Sequence, residues 1–97
     1  MQVKLQSEGE KLTVAVEGLI DTLTSPQLES QLKLDGVKDL VFDFTGVEYI
    51  SSAGLRVLVK ACKALKANGG EMKIAGVRPI VKEVFDITGF TDKFNLI

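Results

Sequence analysis

Ninety-seven residues, 45% apolar and 26% charged, amount to one globular domain, residues 1–97, with a modest core. The formal net charge of −1 excludes the basic footprint of a nucleic-acid binder, and no long apolar run or basic cluster suggests membrane insertion. With no histidine, one cysteine and no signal-like N-terminus, the chain is expected to be cytoplasmic, without cofactor, metal site or internal disulfide.

Val3 and Leu5 alternate with polar neighbours and suggest a short first strand. Ser7-Glu8-Gly9-Glu10 reads as a turn. Leu12, Val14 and Val16 alternate with polar residues in a second, half-buried strand, so the two should form an antiparallel hairpin. Gly18 to Leu23 reads as a loop carrying Asp21. Thr24-Ser25-Pro26-Gln27 opens a helix, with either hydroxyl as cap and Pro26 in the first turn. Leu28, Leu32 and Leu34 supply its stripe, and Asp35-Gly36 ends it.

Leu40 to Phe44 is a dense run with apolar residues on both faces, expected centrally in a sheet. Residues 45–51 read as its connection to a helix over about 52–67, where Leu55, Leu58, Cys62 and Leu65 form the stripe and Val59 and Ala61 widen it. Asn68-Gly69-Gly70 stops that helix. Met72 to Ala75 forms another strand. Gly76-Val77-Arg78-Pro79 opens a third helix whose buried side is marked by Ile80, Val84 and Ile87, with Val81 and Phe85 nearby. Thr88-Gly89-Phe90 ends it, and Phe94 to Ile97 is a last strand or a packed tail. The order is β-β-α-β-α-β-α-(β). This is an α/β class chain: a mixed four- to five-stranded sheet with three helices packed on it and a right-handed parallel crossover through 52–67.

Sites on such sheets collect at the carboxyl ends of parallel strands. Ser51 and Ser52 stand at such an end and also at a helix N-terminus, where exposed amides and partial positive charge cap well and accept phosphate. The plain reading is a cap, for which serine is among the best residues. Two adjacent serines exceed what one cap needs. Asp21 alone reads as a turn residue. Arg56, Lys60, Lys63 and Lys66 lie on one side of the second helix, either as a solvated face or as a docking surface for an acidic partner. Cys62 belongs to the apolar stripe, and no phosphate-binding G-x-x-x-x-G-K-[ST] loop is present.

Asp43 to Leu55, reading D-F-T-G-V-E-Y-I-S-S-A-G-L, resembles the signature of STAS domains, specifically bacterial anti-sigma factor antagonists: D-[LF]-[ST]-x-V-x-[YF]-[IM]-[DS]-S-[SA]-G-[LI]. Gly18-Leu19-Ile20-Asp21 resembles the family's G-E-[LI]-D loop. Ile74 to Pro79 and Thr88-Gly89-Phe90 resemble its later landmarks. The resemblance implies the STAS fold and a binding module, not an enzyme. It implies a serine phosphoswitch: the unphosphorylated antagonist binds an anti-sigma factor that is also a serine kinase, phosphorylation at Ser52 releases it, and a serine phosphatase resets it. Ser51 stands where many members have Asp and is a second candidate acceptor. The implied partner surface is Asp21, Ser51, Ser52, Ala53, Gly54 and Arg56, with Gly54 allowing close approach of the partner or a neighbouring loop. Two other readings compete. One is a non-switching STAS subunit with a structural role in a transporter or signalling assembly. The other is a weak nucleotide hydrolase, for which the sequence offers no histidine, metal cluster or phosphate loop.

Overall fold

A computed structural model describes all residues, 1–97. Strands β1 (Gln2–Glu8) and β2 (Lys11–Ile20) form the expected antiparallel hairpin, with Glu8 opposite Lys11 across a two-residue turn. Helix α1 (Ser25–Gln31) leads to β3 (Asp39–Ile50), helix α2 (Ser52–Ala67) to β4 (Glu71–Ala75), and helix α3 (Pro79–Thr88) to the tail. The sheet order is β1-β2-β3-β4, and β2–β3 and β3–β4 are parallel. Both crossovers step in the same direction across the sheet, so right-handedness puts α1 and α2 on one face. That face carries the core: Leu12, Val14 and Val16 of β2, Leu40, Phe42 and Phe44 of β3, and Met72 and Ile74 of β4 are all buried. The opposite face, where Lys4, Ala15, Asp43 and Ala75 line up across the four strands, stays partly exposed.

Four expectations need correction. First, β2 does not end before Gly18. It continues through Ile20, and Gly18, Leu19 and Ile20 pair with Val47, Tyr49 and Ile50. Second, residues 45–50 are strand, not connection. Register shifts between Ala15 and Glu17, and between Gly18 and Leu19, each insert one extra residue into β3. Buried positions on β3 therefore fall at 40, 42, 44, 47 and 50. The period of two fails where the bulges begin, and the sequence there no longer looks like a strand.

Third, α1 stops at Gln31 and its C-cap Leu32 is extended, well short of Asp35-Gly36. Leu28 is buried, whereas Leu32 and Leu34 are half-buried in the loop that follows. Fourth, α3 is rotated from the expected face. Val81 and Phe85 are the buried pair, Val84 is half-buried, and Ile80 and Ile87 are 57% and 77% exposed. Phe85 is fixed by the tail: Phe94 meets it edge-on at 5.3 Å between ring centroids and stacks on Phe90 at 5.1 Å. A fully buried aromatic pair outweighs two aliphatic residues one turn away. The tail adds a single parallel bridge, Ile74 to Leu96, in place of a fifth strand.

The second helix matches its expected span. Leu55, Leu58, Ala61, Cys62 and Leu65 are buried, together with Val57. Its stop is built by close approach: a Cβ on Gly70 would lie 2.3 Å from the Lys38 carbonyl oxygen. The Asn68 side chain donates to the carbonyls of Leu34 and Val37, tying the helix end to the loop before β3.

Candidate functional site

The parallel register brings two chain exits together. Ile20 and Ile50 are partners at the carboxyl ends of β2 and β3, and the Ser51 N–H donates to the Ile20 carbonyl at 2.8 Å. Asp21 and Ser51 each follow one of these isoleucines. Asp21 and the serine pair, 30 residues apart in sequence, thus share one end of the sheet.

Ser51 is the N-cap of α2. Its backbone is extended, and its Oγ accepts from the Gly54 N–H at a long 3.4 Å. Ser52 is the first helical residue. It is exposed and its hydroxyl has no hydrogen-bond partner within the protein. The two serines therefore differ in occupation: one hydroxyl is committed to the helix and the other is free.

Asp21 organises the turn between β2 and α1. Its Oδ1 accepts from the N–H groups of Leu23 at 2.9 Å and Thr24 at 3.0 Å, and the Thr24 hydroxyl accepts in return from the Asp21 N–H at 2.8 Å. The Thr24 hydroxyl itself donates to the Leu19 carbonyl. The expected side-chain cap of α1 is missing from both Thr24 and Ser25; Ser25 Oγ instead donates to the Asp21 carbonyl. The Thr24 N–H, more than any other group, holds the Asp21 carboxyl below its ordinary value, with help from the Leu23 N–H. Asp21 is thus anionic at neutral pH, with Oδ2 left without a protein donor.

Gly54 faces inward. A Cβ there would sit 2.7 Å from both Ile20 Cγ2 and Ile50 Cγ1. The close approach is made by neither a partner nor a neighbouring loop but by these side chains at the two strand ends, and the residue is buried. Its absent side chain seats α2 on the sheet and so places Ser52; it does not form exposed surface. Leu55 is buried beside it.

Ala53 is half-buried and Arg56 exposed. Both line a groove of about 430 Å³ between α1 and α2, with Thr22, Ser25, Glu29 and Lys60 among its walls. Lys60 spans it to Glu29 at 3.3 Å. Arg56 makes no ion pair and no hydrogen bond. The structure thus gathers Asp21, Ser51, Ser52, Ala53 and Arg56 at one end of the molecule and assigns Gly54 to packing.

Sequence reasoning missed an apolar component. Leu19 and Tyr49 are strand partners and each 46% exposed, and Leu23, in the Asp21 turn, is 87% exposed. The signal that could have found them was the continued pairing of 18–20 with 47–50, hidden by the bulges.

Residues 2–97 match the STAS domain family. The anti-sigma-B factor antagonist of Staphylococcus aureus is 33% identical over 99 residues, covering 99% of this chain and 92% of that one. An anti-sigma factor antagonist from Mycobacterium paratuberculosis has a solved structure with TM-score 0.83 and 26% identity, covering 98% of this chain and 83% of that one. The Bacillus cell fate determinant SpoIIAA in its phosphorylated form shares the fold at TM-score 0.78 and 16% identity, over 99% of this chain and 89% of that one. No helix of this chain is long and apolar enough to cross a membrane. With a four-stranded mixed sheet, three helices and a family match over nearly every residue, the chain belongs to the STAS domain family, alongside relatives named anti-sigma factor antagonists.

Proposed function

We propose that this protein is an anti-sigma factor antagonist of the cytoplasm, a binding module and not an enzyme, switched by phosphorylation of Ser52. The observation that carries the reading is the division of labour at the start of α2: Ser51 caps the helix, while Ser52 is exposed with an unbonded hydroxyl. Relatives named anti-sigma factor antagonists, and a phosphorylated SpoIIAA of the same fold, support it.

In this reading the unphosphorylated form binds an anti-sigma factor through the surface around Asp21, Ser52, Ala53 and Arg56. That partner is a serine kinase. The γ-phosphoryl group of its ATP passes to Ser52 Oγ: the bond from phosphorus to the β-γ bridging oxygen breaks, the Oγ–P bond forms, ADP departs, and the hydroxyl proton goes to a base on the kinase. A serine phosphatase hydrolyses the ester to reset the cycle. The phosphate adds about −1.5 to −2 charges at neutral pH. At a helix N-terminus that charge is favourable, so the fold persists and the change acts at the contact surface. Incubation with the cognate kinase and ATP, followed by peptide mass spectrometry, tests the assignment. One phosphoryl group on Ser52 is expected. Transfer to Ser51 alone would move the switch by one residue, and no transfer would leave a structural STAS subunit as the better description.

A further inference from the structure

We propose that Arg56 is the internal receptor of the Ser52 phosphate, so that phosphorylation both adds an anion and withdraws a cation from the partner surface. This rests on the phosphoswitch reading above and adds a residue-level device to it. Ser52 and Arg56 are separated by four residues in α2, one helical turn, which places their Cβ atoms about 5–6 Å apart on the same face. Both are exposed. The anion stands N-terminal to the cation, the favoured orientation for such a pair. Arginine presents a planar fork that matches phosphate oxygens two at a time.

What singles out Arg56 is that it is free. Lys60, the next cation down the same side, is held by Glu29 across the groove. Arg56 has no acidic partner, and the first turn of α2 contains no acidic residue to compete for it or to repel the phosphate. Ser51, standing before the acceptor, contributes a hydroxyl and no charge. Arg56 therefore lines the groove unpaired in the unmodified protein, with the groove's Glu29 held by Lys60 and Asp21 on the neighbouring turn, and it gains an anion on its own helix face once Ser52 is modified.

The test uses full-length chain carrying phosphoserine at position 52 by genetic encoding, so it does not depend on the kinase. The phosphate is titrated by ³¹P NMR in the native sequence, in Arg56→Gln and in Arg56→Lys. Asp21 and Lys60 are present in all three, so the difference isolates residue 56. The account expects the second phosphate pKa to lie about half a unit lower in the native sequence than in Arg56→Gln, with Arg56→Lys between them. The difference should shrink in high salt. Equal titration in all three proteins would overturn the proposal. Circular dichroism of the unphosphorylated Arg56→Gln form checks the fold, which an exposed, unpaired residue leaves intact. A shift without enzymatic transfer to Ser52 would keep the internal pair and reject the switch; transfer without a shift would do the reverse.

Discussion

Replacing Ser51 by alanine removes the one side-chain acceptor at the start of α2. The cap bond is long, so the expected cost lies toward the low end of the usual range, about 0.5–1 kcal/mol. Ser52→Ala removes a hydroxyl with no partner and should stay within about 0.5 kcal/mol of the parent. Urea unfolding of the two variants side by side measures the contrast. Equal losses would mean that the serines share the cap and that Ser52 is not free. Asp21 carries a similar double load. Oδ1 holds the turn and Oδ2 is open, so Asp21→Asn keeps the acceptor that ties Leu23 and Thr24 while removing the charge. It separates the turn from the surface as Asp21→Ala cannot.

At the scale of elements, the seat of α2 on β2 and β3 decides where the site points. A methyl group on Gly54 would press against branched atoms of Ile20 and Ile50, not against the mobile end of a long side chain. Overpacking of this kind costs about 1–3 kcal/mol, against at most about 1 kcal/mol gained in helix propensity. Gly54→Ala should therefore lower the melting temperature, and Gly54→Val should lower it further. Unchanged melting with lost partner binding would instead make Gly54 a contact residue.

The same elements show what the sequence could disclose. The order of strands and helices, the parallel crossover through α2 and the place of Ser52 at a helix start were legible because hydrophobic period and stop residues coincide there. The outer half of β3 was not, because two bulges turn its spacing from two to three. The buried face of α3 was not, because Ile80, Val81, Val84, Phe85 and Ile87 leave two apolar stripes and only the distant tail, through Phe94, selects between them. The resemblance located Asp21 and Ser52, but the freedom of Arg56 depends on Glu29 choosing Lys60, a contact between residues 31 apart.

For the whole molecule, three carboxyls lie below their ordinary values in the folded state. Thr24 amide donation lowers Asp21, the Thr45 hydroxyl lowers Asp43, and the Thr91 hydroxyl, then Lys82, lowers Asp86. A depressed carboxylate contributes stability that is fully present above the unfolded value and is lost as pH falls through the folded one. These groups therefore predict a urea midpoint that is flat from about pH 7 to about pH 5 and declines below about pH 4. A midpoint that rises on acidification would contradict them.

Phosphorylation at Ser52 should leave that stability nearly intact and act on association alone, because the site is exposed and lies at the favourable end of α2. The direct measurement is calorimetric titration of the cognate anti-sigma factor with three forms of the chain: unmodified, phosphorylated at Ser52, and Ser52→Ala. The account predicts that the unmodified and alanine forms bind alike and that the phosphorylated form binds at least about tenfold more weakly, about 1.4 kcal/mol, with a melting temperature that does not fall. Equal dissociation constants for the phosphorylated and unmodified forms would contradict it.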